Sequence, residues 1–180
     1  MAAEIVFNDD GSVTVPLTRG FCTTLDQRDF AHLFRVDANG VPSVRWCAVT
    51  FRGGHTYACR GANLPGRRTT SVYLHREILR ATRGVDVDHI DRDPLNNRRS
   101  NLRLATRSQN NANRPGSIGG ASPFKGVSWC KQTQKWRAKI SVNNRTVCLG
   151  RFANERDAAC AYDQAAISQW GDFALTNFGR

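Results

Sequence analysis

The chain has 180 residues, which suffices for one ordinary domain or two small ones. Its hydrophobic fraction of 40% excludes a disordered tail, and its formal net charge of +11 favours a polyanionic partner over a basic protein without one. The six cysteines form no C-x-x-C pair, and the first residues lack the basic start and long apolar run of a secretory signal. We therefore expect a cytoplasmic protein with reduced thiols, neither secreted nor membrane-bound.

The first 80 residues read as a series of short strands. Asp10-Gly11 and Asn39-Gly40 are strong hairpin-turn signals, because glycine accepts a positive φ without steric penalty. Strands are expected on both sides of each turn. Within Ser71–Leu79 the chain is expected to change from strand to helix.

The chain then becomes rich in Asp, Asn and Arg. A predicted short strand delivers Asp88 and His89, and an Asn-rich loop follows it. Asn101 lies beyond the loop, and a predicted helix over Thr106–Asn113 carries Asn110. These residue types suit phosphodiester hydrolysis, which needs a base for water and a hard cation for the phosphate. Histidine titrates near neutral pH, and Asp and Asn side chains offer the oxygen ligands that Mg²⁺ prefers.

The ordered set D-H-x-D, N-N-x-x-x-N-L-R and a closing Asn resembles the HNH nucleases of the ββα-metal type. The branch to which it is most similar comprises homing endonucleases of phages and mobile introns. The resemblance implies that His89 is the general base and that Asp88 and Asn110 bind one Mg²⁺ or Mn²⁺ per active site. It also implies that Asn101 ties the loop together by hydrogen bonds.

Some assignments around this motif stay open. Asn111 and Asn113 share the predicted helix with Asn110, so either is an alternative metal ligand. For His75 we favour packing or a phosphate contact over catalysis. Phosphate contacts are expected from the arginines around the motif, which are Arg92, Arg98, Arg99, Arg103 and Arg107.

The last third of the chain follows a Gly/Ser/Pro-rich stretch at residues 115–122, which we interpret as a linker. Three strands are predicted over Gly126–Trp129, Trp136–Val142 and Thr146–Phe152. A helix is predicted over Glu155–Trp170, with Asn154 as its N-cap.

The stretches F-K-G-V-S-W, W-R-A-K-I, L-G-R-F and L-T-N-F resemble the AP2 DNA-binding domain. The resemblance implies a three-stranded sheet that is backed by one helix and reads DNA. Ser128 and Cys130 stand where plant relatives commonly have base-reading arginines, so no sequence preference is carried over. The candidate DNA contacts in this part are Lys125, Trp129, Arg137, Lys139, Arg145 and Arg151.

The predicted fold class is α+β: a β-rich nuclease region at 1–114 with its motif at 85–113, a linker at 115–122 and an AP2-like domain at 123–180. The predicted function is metal-dependent cleavage of double-stranded DNA, by nicking or as a double-strand break. A phage-encoded protein of this kind would act in the cytoplasm of the bacterial host. A DNA-binding regulator with an inactive HNH motif is the alternative, and an RNA-binding or RNA-cutting protein is a further one. The oligomeric state is left open.

Overall fold

The computed structural model describes residues 4–38, 42–62, 70–116, 119–143 and 145–179. The fold is mixed α/β, with small antiparallel sheets and few helices. The chain divides into two compact units, an N-terminal unit that ends at Leu104 and a C-terminal unit that begins at Ala105. In the described parts of the chain, no helix is long and apolar enough to cross a membrane.

The N-terminal unit contains three small sheets, which pair β1-β2-β3, β4-β5-β6 and β7-β8. Its strands are β1 Val6–Phe7, β2 Ser12–Pro16, β3 Cys22–Asp26, β4 Cys47–Thr50, β5 Thr56–Ala62, β6 Thr70–Tyr73, β7 Asp86–His89 and β8 Leu102–Ala105, the last of which runs to the unit boundary. Its helices are α1 Gln27–Phe34 and α2 Leu74–Ile78.

Turn chemistry explains the first hairpin, which was predicted. Gly11 has a φ of +76°, so the turn between β1 and β2 uses the conformation that glycine adopts most readily. The second predicted turn, Asn39-Gly40, lies outside the described residues. The predicted change from strand to helix occurs at the step from Tyr73 to Leu74, where β6 ends and α2 begins.

Helix α1 contradicts the expectation of strands throughout the first 80 residues. Phe30 and Phe34 are one helical turn apart, so both side chains lie on the same face of α1. Their ring centroids are 5.0 Å apart, and Phe34 packs against Trp46 at 6.1 Å. The three aromatic residues are buried in the core of the N-terminal unit, so tertiary packing stabilises a helix of only two turns.

The C-terminal unit contains a three-stranded antiparallel sheet backed by a long helix. Its elements are α3 Arg107–Ala112, β9 Val127–Cys130, β10 Lys135–Val142, β11 Arg145–Phe152 and α4 Glu155–Trp170. The sheet order is β9-β10-β11, and Ile140 of β10 packs against Tyr162 and Ala166 of α4. The three predicted strands are confirmed with small shifts at their ends, and the predicted helix is confirmed with the same bounds.

Polar side chains fix the start of α4 and the segment that follows the helix. Asn154 caps the helix, because its Oδ1 accepts a hydrogen bond of 2.8 Å from the backbone N of Arg156. Asp163 is buried in the middle of α4 and was not singled out from the sequence. Its carboxylate accepts hydrogen bonds of 2.8 to 2.9 Å from the backbone and side chain of Asn177. These hydrogen bonds hold the segment around Asn177 against α4.

Helix α3 packs within the C-terminal unit. The Nε1 of Trp170 donates to Ser108 Oγ at 3.0 Å, and the backbone N of Leu175 donates to Ala112 O at 3.1 Å. The compact unit therefore begins before the linker that was placed at 115–122. Ser117 and Ile118 of that linker lie outside the described residues, and the predicted domain limits stay a prediction.

Candidate active site and nucleic-acid interface

The loop between β7 and β8 is closed by Asn101. Its Nδ2 donates to Asp91 Oδ1 and to Asn96 O, both at 2.8 Å. Its Oδ1 accepts from the backbone N of Asp91 at 3.0 Å, and its backbone carbonyl accepts from Ile90 N at 2.8 Å. Because these bonds link both ends of the loop, they hold the chain that leaves His89 in a fixed path.

The same loop is docked on β3. The backbone N of Asn97 donates to Thr24 O at 2.7 Å, and Thr24 N donates to Leu95 O at 3.0 Å. Thr23 Oγ1 donates to Leu95 O at 2.8 Å. The loop is thus paired with a strand more than 70 residues away in sequence, and Asn97 is fully buried at 0% exposure.

The side chain of Asn97 sets the orientation of the His89 ring. Its amide nitrogen lies 3.3 Å from Pro94 O and 2.8 Å from Thr23 Oγ1. A carbonyl can only accept, so this nitrogen is the donor and Asn97 Oδ1 is left to face His89 Nε2 at 3.3 Å. Nε2 of His89 must then donate, which places the lone pair of the neutral imidazole on Nδ1. Asn97 was not singled out from the sequence.

Burial keeps the His89 ring neutral. Desolvation is the main cause that lowers the pKa of His89, whereas the hydrogen bond that His89 donates to Asn97 and the nearby Asp91 carboxylate act in the opposite direction. The ring of His75 lies at 5.1 Å from that of His89, edge to face. Burial lowers the pKa of His75 to about 3, with a smaller contribution from the neighbouring His89. Both imidazoles are therefore neutral at neutral pH.

Asp88 is a buried carboxylate with a cationic partner. Its Oδ2 accepts from Arg103 Nε at 2.8 Å and lies 2.7 Å from Arg103 Nη2. An ionised carboxylate is a hard oxygen donor that accepts several bonds at once. The donor chemistry at this end of β7 therefore fits a hard divalent ion, which uses one or two protein oxygens and keeps several waters. In the described residues no three His, Cys, Asp or Glu side chains converge on a metal position.

The other metal ligand suggested by the motif is Asn110 of α3. It is half-buried, whereas Asn111 is exposed and Asn113 is the buried C-cap of the helix. All three belong to the C-terminal unit, where Thr106 caps α3 in a reciprocal arrangement with Gln109. The choice among the three asparagines stays a prediction.

Three of the arginines expected to contact phosphate, Arg98, Arg99 and Arg103, already have carboxylate partners. Arg92 and Arg107 are exposed. Arg99 forms two bonds of 2.8 Å to Asp29, and that hydrogen bonding raises the pKa of the Arg99 guanidinium. Arg98 pairs with Asp10 at 2.5 Å and with Asp26 at 3.7 Å. These two pairs hold the loop against the rest of the unit, whereas the pair of Arg103 with Asp88 links the strands β8 and β7.

The sheet of the C-terminal unit has two different faces. Cross-strand partners share a face, so Arg137 lies beside Ser128 of β9 and Arg151 of β11. Lys139 is two residues further along β10 and points to the same side. The opposite face carries Ala138, which is fully buried against α4. Arg137, Lys139 and Arg151 therefore form one basic face directed away from the helix.

The other candidate DNA contacts of this unit lie elsewhere. Trp129 is paired with Trp136, and their rings meet edge to face at 5.0 Å on the side of the sheet that bears Ala138. Arg145 is paired with Val142 on that same side. Lys125 donates through Nζ to Ala112 O at 2.5 Å.

Two parts of the chain match known families. Residues 72–112 match the model described as HNH endonuclease, and residues 122–172 match the AP2 domain. Residues 72–112 are therefore similar to HNH endonucleases and residues 122–172 to AP2 domains, which confirms the HNH and AP2 resemblances drawn from the sequence.

Viral and plant proteins are similar to separate parts of the chain. Protein 3.8 of Escherichia phage T7 is 36% identical over 63 residues, which are 35% of this chain and 52% of that protein. An uncharacterized HNH endonuclease of Acanthamoeba polyphaga mimivirus is 38% identical over 93 residues, which are 52% of this chain and 47% of that protein. An AP2-like ethylene-responsive transcription factor of Arabidopsis thaliana is 46% identical over 61 residues, 33% of this chain and 12% of the factor. The chain thus spans about half of each viral relative.

Proposed function

We propose that the protein is a metal-dependent DNA endonuclease in which His89 is the general base. The observation that carries the proposal is the hydrogen bond between His89 Nε2 and the fully buried Asn97. This hydrogen bond selects the tautomer of His89 that has its lone pair on Nδ1. The residue before His89 is Asp88, whose carboxylate is the proposed metal ligand. A neutral, oriented imidazole beside a carboxylate that can bind a cation is the arrangement that hydrolysis of a phosphodiester requires.

The residues of the site divide the work of this reaction. His89 Nδ1 takes a proton from the attacking water, and the charged ring that results is stabilised by Asn97 Oδ1 and by the Asp91 carboxylate nearby. Asp88 and, from its motif position, Asn110 would hold one Mg²⁺ or Mn²⁺. When bound, that ion neutralises charge on the phosphate and on the leaving oxygen. Asn101 keeps the loop after His89 closed, which holds the backbone that carries His89 and Asp88 in place.

The AP2 domain is proposed to hold double-stranded DNA through the face of Arg137, Lys139 and Arg151. A sheet with a basic outer face can enter the major groove of a duplex. Lys139 and Arg151 are exposed on this face, so their charged groups can reach the phosphates of a duplex.

The test of the proposal is nicking of supercoiled plasmid in Mg²⁺ or Mn²⁺. We expect His89→Ala to lower the nicking rate by about 10²- to 10⁴-fold, the usual contribution of a general base, while binding to duplex DNA is retained. His32→Ala, at an exposed histidine of α1, is the matched control and should nick at the wild-type rate. DNA binding by the wild-type protein without metal-dependent nicking would instead support a regulator with an inactive motif. Preferential binding or cutting of RNA in competition would support the RNA alternative.

A further inference from the structure

The sheet β4-β5-β6 carries an aromatic cluster on one face. Phe51 follows β4, and its ring centroid lies 5.8 Å from that of Tyr57 and 6.3 Å from that of Tyr73. The rings of Tyr57 and Tyr73 are 6.2 Å apart and nearly perpendicular. We call Phe51, Tyr57 and Tyr73 the aromatic shelf.

The shelf lies on the face of this sheet opposite Ala48 and Ala58, where Cys59 is buried but the end near Phe51 is exposed. Ala48 and Ala58 point to the core side and are buried. Val49 is paired with Tyr57 on the shelf side, where it is 36% exposed, and Phe51 is 44% exposed. The apolar side of the sheet is thus partly open to solvent at a place where a protein in water normally presents polar residues.

The shelf is continuous with the proposed catalytic base. Tyr57 lies 5.6 Å from the ring of His75 and 6.3 Å from the ring of His89, measured between centroids. Tyr73 lies 5.7 Å from His75. A ligand that covers the Tyr57 end of the shelf would therefore lie close to the proposed base His89.

The end of the shelf is cationic. The turn from Phe51 to His55 is closed by backbone hydrogen bonds from Phe51 N to His55 O at 3.0 Å and from Gly54 N to Phe51 O at 3.1 Å. Gly53 and Gly54 have φ angles of +106° and +84°, which confine this turn to glycine. The turn carries the exposed Arg52 next in sequence to the exposed Phe51. A ring beside a guanidinium suits a base and its phosphate, whereas an apolar protein surface offers no partner for Arg52.

We propose that the aromatic shelf binds a nucleobase of the cleaved DNA next to the scissile phosphate, with Phe51 inserted against the base stack and Arg52 on the adjoining phosphate. This inference rests on the proposed endonuclease function and extends it to distortion of the duplex at the cut. Every base has an aromatic face, so the contact requires no particular sequence. Insertion of an apolar side chain between base pairs unstacks them and bends or untwists the duplex, which would bring the phosphate toward His89.

Untwisting by the shelf is measured without cleavage in the His89→Ala background. A singly nicked plasmid is saturated with this variant, sealed with DNA ligase and deproteinised, and the linking number is read on an agarose gel. We expect the His89→Ala protein to lower the linking number, and the added Phe51→Ala change to abolish most of that shift. Phe51→Trp should restore the shift, because it supplies a ring. Phe7→Ala, at an exposed phenylalanine on another sheet, is the matched control and should leave the shift unchanged.

The readouts separate the shelf from the endonuclease function. The shelf proposal is wrong if the His89→Ala protein leaves the linking number unchanged. It is also wrong if the His89→Ala protein and the variant that carries Phe51→Ala in addition change the linking number equally. Both outcomes count even where the wild-type enzyme nicks DNA. If the wild-type protein fails to nick in either metal while the shift depends on Phe51, the endonuclease proposal is wrong and the shelf still binds DNA. Analytical ultracentrifugation tests whether a second copy of the chain covers the shelf instead. A dimer that dissociates in the Phe51→Ala variant, with no change in linking number, would assign the shelf to that second copy. In the nicking assay with intact His89, Phe51→Ala should lower the rate by about tenfold, in line with the loss of one stacked base.

Discussion

Nε2 of His89 lies 3.3 Å from Oδ1 of Asn97, a side chain with no exposed surface that is anchored in turn to Thr23. The site therefore depends on a residue outside the three motif letters. Asn97 holds the ring through a neutral amide, so it orients His89 without adding a full charge that would raise the pKa of the ring. This distinguishes the arrangement from a carboxylate–histidine pair and makes the pH dependence of cleavage a test of it.

Asn97→Asp should move the acid limb of the cleavage profile to higher pH. The base acts only as the neutral ring, and burial lowers the pKa of His89, so wild-type cleavage should persist below the ordinary histidine range. A carboxylate in place of the amide favours the charged ring, and the limb should shift upward by about one pH unit or more. The measurement is the nicking rate as a function of pH. Asn154→Asp, which keeps the cap of α4, is the control, and coincident limbs for wild type and Asn97→Asp would contradict the role given to Asn97.

Removal of Arg103, the partner of Asp88, should make the thermal stability of the protein depend on Mg²⁺. Arg103→Met leaves a carboxylate that is 4% exposed without its guanidinium, which should cost about 3 kcal/mol of unfolding free energy in EDTA. A divalent ion that binds Asp88 would replace the missing charge, so Mg²⁺ should raise the Tm of this variant more than that of wild type. The comparison is thermal unfolding in EDTA and in Mg²⁺, with the exposed Arg114→Met as control. Equal Mg²⁺ effects on all three proteins would show that the ion does not bind at Asp88.

His75 should make the fold sensitive to mild acid. Its pKa is about 3 in the folded state and near 6.5 when unfolded, so only the unfolded chain takes up the proton between these values. Its contribution is therefore fully present above pH 6.5 and is lost as the pH falls toward 3, at about 1 kcal/mol per pH unit. His75→Phe, which keeps a ring in the same place, should flatten the dependence of unfolding free energy on pH between 6.5 and 4. Urea unfolding across this range is the measurement, His32→Asn is the control, and an unchanged slope in His75→Phe would exclude His75 as the source.

DNA binding should protect Cys148 from alkylation. Cys148 is exposed and lies opposite Lys139, on the face of the sheet proposed to meet DNA. Cys160 is equally an exposed thiol, but it lies on α4, which covers the other face. Iodoacetamide labelling followed by mass spectrometry, with and without duplex DNA, compares the two within one molecule. Protection of Cys160 without protection of Cys148 would mean that DNA contacts the helix and not the basic face.

Much of the C-terminal unit could be predicted from the sequence because its signals are local. Alternation along β10 separates Arg137 and Lys139 from the buried Ala138 and Ile140, and Asn154 marks the start of α4 by its capping chemistry. The Asp88-His89 pair is equally local, since the two residues are adjacent at the end of β7.

Only the tertiary structure decided which groups form hydrogen bonds with the residues of the proposed active site. Asn97 reaches Thr23 across 74 positions, and Arg99 reaches Asp29 across 70, so no short-range pattern couples them. The sequence therefore determined which side chains are able to hydrolyse a phosphodiester bond. Only the packing of β3 against the loop between β7 and β8 decided which nitrogen of His89 holds the lone pair. The reason is that hydrogen bonding inside a protein depends on which groups the fold brings within about 3 Å.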